Sequence, residues 1–197
     1  MKRVGLFMLA VVVMALMSSA SAVAQSESSG GGDNSFYFVT YYSNNVSGAP
    51  DAVLRFINDG EIGSNVTANI YVFDDSQELQ TCGACPITPD GLLSEDVKTE
   101  LTNNPLTGRV PTRGVIKVIG SGFTPEGAAE LVPLRGWATH IERATPTSGA
   151  YATTEAPLAD SNLGENELPL LQNLCSYALL LGSGQGTITC TLEDHDF

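Results

Sequence analysis

Seven short runs of apolar, β-branched and aromatic residues, closed by Gly, Pro, Asn or Asp, recur along this chain. They fall at residues 36–42 (FYFVTYY), 52–58 (AVLRFIN), 66–74 (VTANIYVFD), 114–120 (GVIKVIG), 136–143 (GWATHIER), 150–155 and 187–192 (TITCTL), the sixth being the weakest. Runs of this length and composition are strand formers. The third has the clearest two-residue period. Ala68, Ile70 and Val72 share one face, and Asn69, Tyr71 and Phe73 take the other. In the fifth, Trp137, Thr139 and Ile141 oppose Ala138, His140 and Glu142. Six or seven such strands without an internal repeat predict a mainly β fold, an antiparallel β-sandwich-like single domain, with a barrel as the other arrangement of the same pieces.

Two stretches depart from that period. Leu93, Val97 and Leu101 stand four apart, Ser94 can cap, and Asn103-Asn104-Pro105 can terminate, so a short helix is expected over residues 94–102. A longer amphipathic helix is expected over residues 165–181. Leu168, Leu171, Leu174, Cys175, Ala178 and Leu179 form its apolar stripe, and Pro169 fits its first turn. Gly182, Gly184 and Gly186 would end it. The stripe is too wide for an isolated surface helix. It must lie on the sheet or cap one end, and any apolar face left exposed would mark a partner site.

The first 24 residues have the layout of an export signal. Lys2-Arg3 precede an apolar run over residues 4–17, and small residues lead to Ala22-Val23-Ala24. Cleavage is expected after Ala24. The run is too short for a bilayer span of about 20 residues, so no stable membrane insertion is expected afterwards. Residues 25–34 (QSESSGGGDN) then form a Ser/Gly-rich flexible leader, and the folded domain occupies 35–197. The chain carries 9 basic and 22 acidic residues, a net charge of −13; loss of Lys2 and Arg3 makes it −15. Such a balance repels phosphate backbones and anionic membrane surfaces and excludes nucleic acid as a partner. The chain is therefore read as secreted or periplasmic.

Export decides how Cys82, Cys85, Cys175 and Cys190 are read. Four cysteines in an exported domain imply two structural disulfides, with three possible pairings. The local pairs, Cys82–Cys85 and Cys175–Cys190, are the simplest expectation. The second would close a loop worth about 3 kcal/mol in the chain-entropy picture. A thioredoxin-like use of Cys82 and Cys85 requires a helix start, whereas Pro86, Pro89 and Gly91 follow and describe a turn. A four-thiolate zinc site is disfavoured by the wide spacing between Cys175 and Cys190.

Catalytic and cofactor motifs do not emerge. The Gly-Ser-Gly triplets at 120–122 and 182–184 lack nucleophile-elbow spacing, and the glycines at 182, 184 and 186 follow a helix, where a dinucleotide loop precedes one. His140 lies mid-strand, without a nameable nucleophile or orienting acid, and reads as a packed strand residue. Asp74-Asp75 follows a strand. Adjacent strand residues point to opposite faces, so the pair suits a solvated turn better than a glycosidase pair or a calcium loop. Phe36, Tyr37, Phe38, Tyr41 and Tyr42 could make a sugar-stacking platform. Their alternation fits a core strand better, with Phe36 and Phe38 inward and Tyr37 outward.

The blocks at residues 69–75 (NIYVFDD), 82–92 (CGACPITPDGL), 101–118 (LTNNPLTGRVPTRGVIKV), 135–141 (RGWATHI) and 171–190 (LQNLCSYALLLGSGQGTITC) resemble a family of uncharacterised exported bacterial proteins with no assigned activity. The resemblance implies a bacterial extracytoplasmic protein with structural cysteines, and it transfers no catalytic residue. The expectation is an exported, non-enzymatic structural or binding module without cofactor or metal, contacting a protein or glycan. A secreted hydrolase, or a thiol–disulfide protein using Cys82 and Cys85, is the alternative.

Overall fold

Two antiparallel sheets face one another across an apolar interior. The computed structural model describes residues 35–44, 46–103, 110–124, 127–144, 149–182, 188 and 190, all within one compact unit, Gly31–Phe197. In chain order the strands are β1 (Tyr37–Ser43), β2 (Val53–Ile57), β3 (Val66–Asp74), β4 (Leu79–Ile87), β5 (Leu92–Asp96), β6 (Arg113–Phe123), β7 (Ala129–Leu131), β8 (Arg135–Arg143) and β9 (Tyr151–Pro157). One sheet runs β1-β6-β3-β4, with β7 pairing the far end of β6; the other runs β5-β2-β8-β9. A helix, α1 (Glu167–Gly182), follows.

The two-residue period of β3 does what it predicts. Val66, Ala68, Ile70 and Val72 are buried between the sheets beside Leu54 and Phe56 of β2, Leu93 of β5, and Ile116 and Val118 of β6. Tyr71 and Phe73 turn to the opposite face of the first sheet, where α1 covers them. The helix uses Leu168, Leu171, Cys175 and Ala178, spaced to fall on one side, against Tyr37, Tyr71, Cys82 and Ile119. The first sheet is thus buried on its inner face and, where α1 lies, on its outer face as well. The second keeps an open outer face, where Arg55 pairs with Glu155 at 2.8 Å and reaches Thr139.

Gly114 marks the tightest inter-strand packing. A Cβ there would collide with the Phe73 carbonyl oxygen and the Tyr42 ring, so β6 can pass Tyr42 only as glycine.

Three expectations need correction. The helix expected over 94–102 is strand β5 followed by a single π-helical turn, Val97–Leu101. Its orphan amides are met by Asp51 from a distant loop, which accepts from the Lys98 and Thr99 N–H groups at 2.9–3.0 Å; Ser94 lies within β5. The turn expected over residues 86–91 forms only over 88–91, where the Gly91 N–H donates to the Thr88 carbonyl at 2.9 Å; Pro86 and Ile87 are still the end of β4. Pro86 is tolerated there because β4 ends its sheet and the pairing alternation turns even-numbered residues outward. Cys82 shows the direction, its carbonyl accepting from Ile188 N–H at 3.0 Å. Strand β7 has no counterpart among the expected runs. The export signal, the leader and most of the 187–192 run lie outside the described residues, apart from Ile188 and Cys190.

Candidate functional site

The four sulfurs form two long-range disulfides, Cys82–Cys175 and Cys85–Cys190, separated by 93 and 105 residues. The local pairing is therefore overturned, and strand geometry explains why. Three residues apart on β4, Cys82 and Cys85 lie about 10 Å from each other and point to opposite faces. Cys82 meets α1, while Cys85 enters the inter-sheet core. No CxxC redox pair forms, and the four thiols do not converge as zinc ligands would. Glu95, buried beside the second bridge, has Oε1 3.9 Å from Cys85 Sγ, but both sulfurs there are consumed by their bond.

Asp74 and Asp75 separate as their adjacency on a strand requires. Asp74 is buried, and Oδ1 accepts from the Ser76 and Glu78 N–H groups at 2.9 and 3.0 Å, while Oδ2 accepts from Gln80 Nε2 at 2.9 Å. This carboxylate builds the β3–β4 turn, where Gln77 adopts φ 67°. Asp75 instead faces Arg113, 2.8 Å away. The two do not form a common cation or sugar site.

The aromatic run mostly enters packing. Phe38 and Tyr42 are buried between the sheets; Tyr37 faces the other way, as expected, but lies buried under α1. Tyr41 is the exception at 51% exposed, beside the partly exposed Val39. The helix covers the start of β1 and leaves these two side chains uncovered.

They border an opening in the sandwich. Strands β1 and β9 each end their sheet, and between them lies a hollow of about 330 Å³ lined by Val39, Tyr41, Val115, Ala138, His140 and Leu158, among others. His140 is its main polar group. The imidazole stacks on the Tyr41 ring with centroids 4.2 Å apart, and its Nε2 lies 3.3 Å from Thr40 Oγ1. The Tyr41 hydroxyl donates to Glu142 Oε1 at 3.0 Å. Burial lowers the His140 pKa below its ordinary value, while the Tyr41 backbone and the Glu142 charge pull it upward. Among the described residues no carboxylate hydrogen-bonds the ring. It is a neutral donor–acceptor at the floor of an apolar hollow.

A second, more polar hollow of about 500 Å³ adjoins the first at Val39 and includes Tyr37, Lys117, Asn162, Asn166 and Glu167. Lys117 and Glu167 form a close ion pair, and the Tyr37 hydroxyl lies 3.4 Å from the same carboxylate oxygen. Burial, then the Glu167 charge and hydrogen bond, push the Tyr37 phenol up to about 12. The trio ties α1 to β1 and β6.

Sequence reasoning missed this open side. Its one visible trace was Tyr41, odd-numbered in the strand like Tyr37 but beyond the reach of a helix docked at the strand's start. Compared with protein families, curated proteins and solved structures, the chain matches none of them.

Proposed function

We propose that this chain is an exported, non-enzymatic binding module whose ligand surface is the open side of the sandwich between β1 and β9. The observation that carries the reading is the gap itself. Val39, Tyr41 and Leu158 border an unfilled hollow next to the buried core, where a closed sandwich would have continued packing. The two disulfides suit an oxidising, extracytoplasmic setting, and no helix among the described residues is long and apolar enough to cross a membrane. An export signal cleaved after Ala24 belongs to the same proposal.

The hydrolase alternative rests on Thr40 Oγ1 lying 3.3 Å from His140 Nε2. Against it, the Thr40 hydroxyl is also within reach of the Tyr41 carbonyl at 3.4 Å, and no orienting carboxylate bonds the imidazole among the described residues.

Glycan and peptide arrays probed with the intact protein, Tyr41→Ser and His140→Ala test both readings. The proposal expects array ligands that are lost with Tyr41→Ser, whose exposed position leaves the fold unchanged. A panel of nitrophenyl esters and glycosides supplies the counter-test. Turnover abolished by His140→Ala at unchanged circular dichroism establishes a hydrolase and ends the binding-module reading.

A further inference from the structure

Strand β9 is an open sheet edge. All seven of its residues are exposed, it pairs with β8 without a register break, and it carries no Lys and no bulge; its guards, Glu155 and Pro157, stand at one end and leave residues 151–154 bare. Natural sheets guard such edges with charge, bulges or a covering segment, because a bare ladder edge recruits another strand. The unpaired groups follow from the ladder's alternation. The Ala144 N–H donates to the Ala150 carbonyl and the Leu158 N–H to the Gly136 carbonyl, so even-numbered residues of β9 bond to β8. Tyr151, Thr153 and Glu155 therefore turn their N–H and C=O groups away from the sheet, and Pro157 falls where a missing N–H costs the ladder nothing. Among the described residues no backbone partner meets them.

The hollow supplies a second, independent feature. Ala156 of β9 and Ala138 of β8 line it with small side chains, and His140 lies at its floor. A strand added beside β9 would send alternate side chains toward this space.

Resting on the reading of the open side as the ligand surface, we infer that β9 accepts an extended, basic peptide segment of another protein as a fifth strand, with an apolar side chain seated in the hollow. Charge selects the partner. Glu142, which accepts from Tyr41, and Asp160, which bridges to Phe38, flank the opening, and Glu165 lies further along, whereas Glu155 and Glu167 are ion-paired with Arg55 and Lys117. The chain's net charge of −13 opposes self-pairing of two edges and favours a cationic segment. Main-chain bonds to the edge provide affinity, and the hollow provides selectivity at alternate positions.

The test uses the intact protein and three synthetic octapeptides: alternating Lys-Val, alternating Glu-Val, and a Lys-Val peptide interrupted by prolines. Fluorescence anisotropy should detect the first peptide binding at least about tenfold tighter than the other two. Hydrogen exchange should show the amides of Tyr151, Thr153 and Glu155 slowed by the bound peptide. Thr153→Pro removes an outward N–H without touching the β8 ladder, and should abolish binding at unchanged thermal midpoint. If that variant misfolds, Ala156→Leu, at an exposed residue lining the hollow, fills the space while leaving the outward N–H groups of Tyr151, Thr153 and Glu155 intact, and should weaken binding by about tenfold or more. Binding indifferent to both substitutions, or absent at millimolar peptide, overturns the inference. So does a dimer in sedimentation that Thr153→Pro dissolves, since the edge then belongs to a second copy. Glycan-array hits lost with Tyr41→Ser in the absence of peptide binding would sink strand addition while leaving the binding module standing.

Discussion

His140 shows how one side chain's burial becomes a property of the whole fold. The imidazole is 8% exposed, stacked on Tyr41, and its pKa is lowered chiefly by desolvation. The folded protein therefore holds the proton less tightly than the unfolded chain, whose histidine titrates near 6.5. Stability from this group is present above pH 6.5 and declines as pH falls below it, because protonation then favours the unfolded state. Urea unfolding at a series of pH values from 8 to 5 should show a falling midpoint in the wild type, and His140→Gln should flatten the decline that other groups do not cause. An equal slope in both proteins removes His140 from the balance. Asp74 makes the complementary point: a buried carboxylate meets its hydrogen-bonding needs with two backbone amides and one side-chain amide, and so serves a turn.

Helix α1 and the strand beneath it show which elements could be read from residue order alone. Strands β1, β2, β3, β6 and β8 and the helix lie where their periodicity places them, because each buries a stripe; β9, exposed throughout, is the weakest of the expected runs. Strand β4 was hidden because Gly83 and Pro86 are ordinarily turn residues. They are accommodated by position: Ile188 packs closely on Gly83, and Pro86 sits where its missing N–H would have pointed away from β3. Strand β5 and the π-helical turn present the same i, i+4 spacing as a helix, and the docking of β5 on β2 decides against it. The open side was illegible for a different reason. It is defined by the strand that is absent between two edges, and a gap has no residue to announce it. For α1 the packing makes a quantitative expectation. Leu171 is 1% exposed at the centre of the helix–sheet contact, whereas Leu180 is 81% exposed. Leu171→Ala should cost about 2–5 kcal/mol in denaturant unfolding, and Leu180→Ala should fall within about 0.5 kcal/mol of the wild type. Comparable losses would mean that the helix docks by its other face.

At the scale of the molecule, the disulfides join what the sheets alone leave loosely connected. Cys82–Cys175 clamps α1 to the outer face of one sheet, and Cys85–Cys190 ties Cys190 to β4, where the Ile188 N–H also donates to the Cys82 carbonyl. Each closes a loop of roughly a hundred residues, a length worth about 4–5 kcal/mol in the chain-entropy picture when taken alone. Because only Gly83 and Ala84 separate Cys82 from Cys85, digestion without reduction must be followed by fragmentation of the linked peptides by tandem mass spectrometry, which should assign Cys82 to Cys175 and Cys85 to Cys190. Thiol titration in guanidinium should find no free sulfhydryl. Recovery of Cys82 with Cys85 would refute the connectivity and with it the assignment of the two sulfurs to opposite layers.

That connectivity also sets a birth order for the molecule. Cys82 and Cys85 leave the ribosome as near neighbours, while their true mates arrive 93 and 105 residues later. An oxidant acting early would marry the neighbours, and β4 cannot be straightened into its sheet while they stay joined. Correct pairing therefore requires either that oxidation wait for the later cysteines or that thiol–disulfide exchange reopen the early bridge, a step of seconds to hours set by oxidant and isomerase.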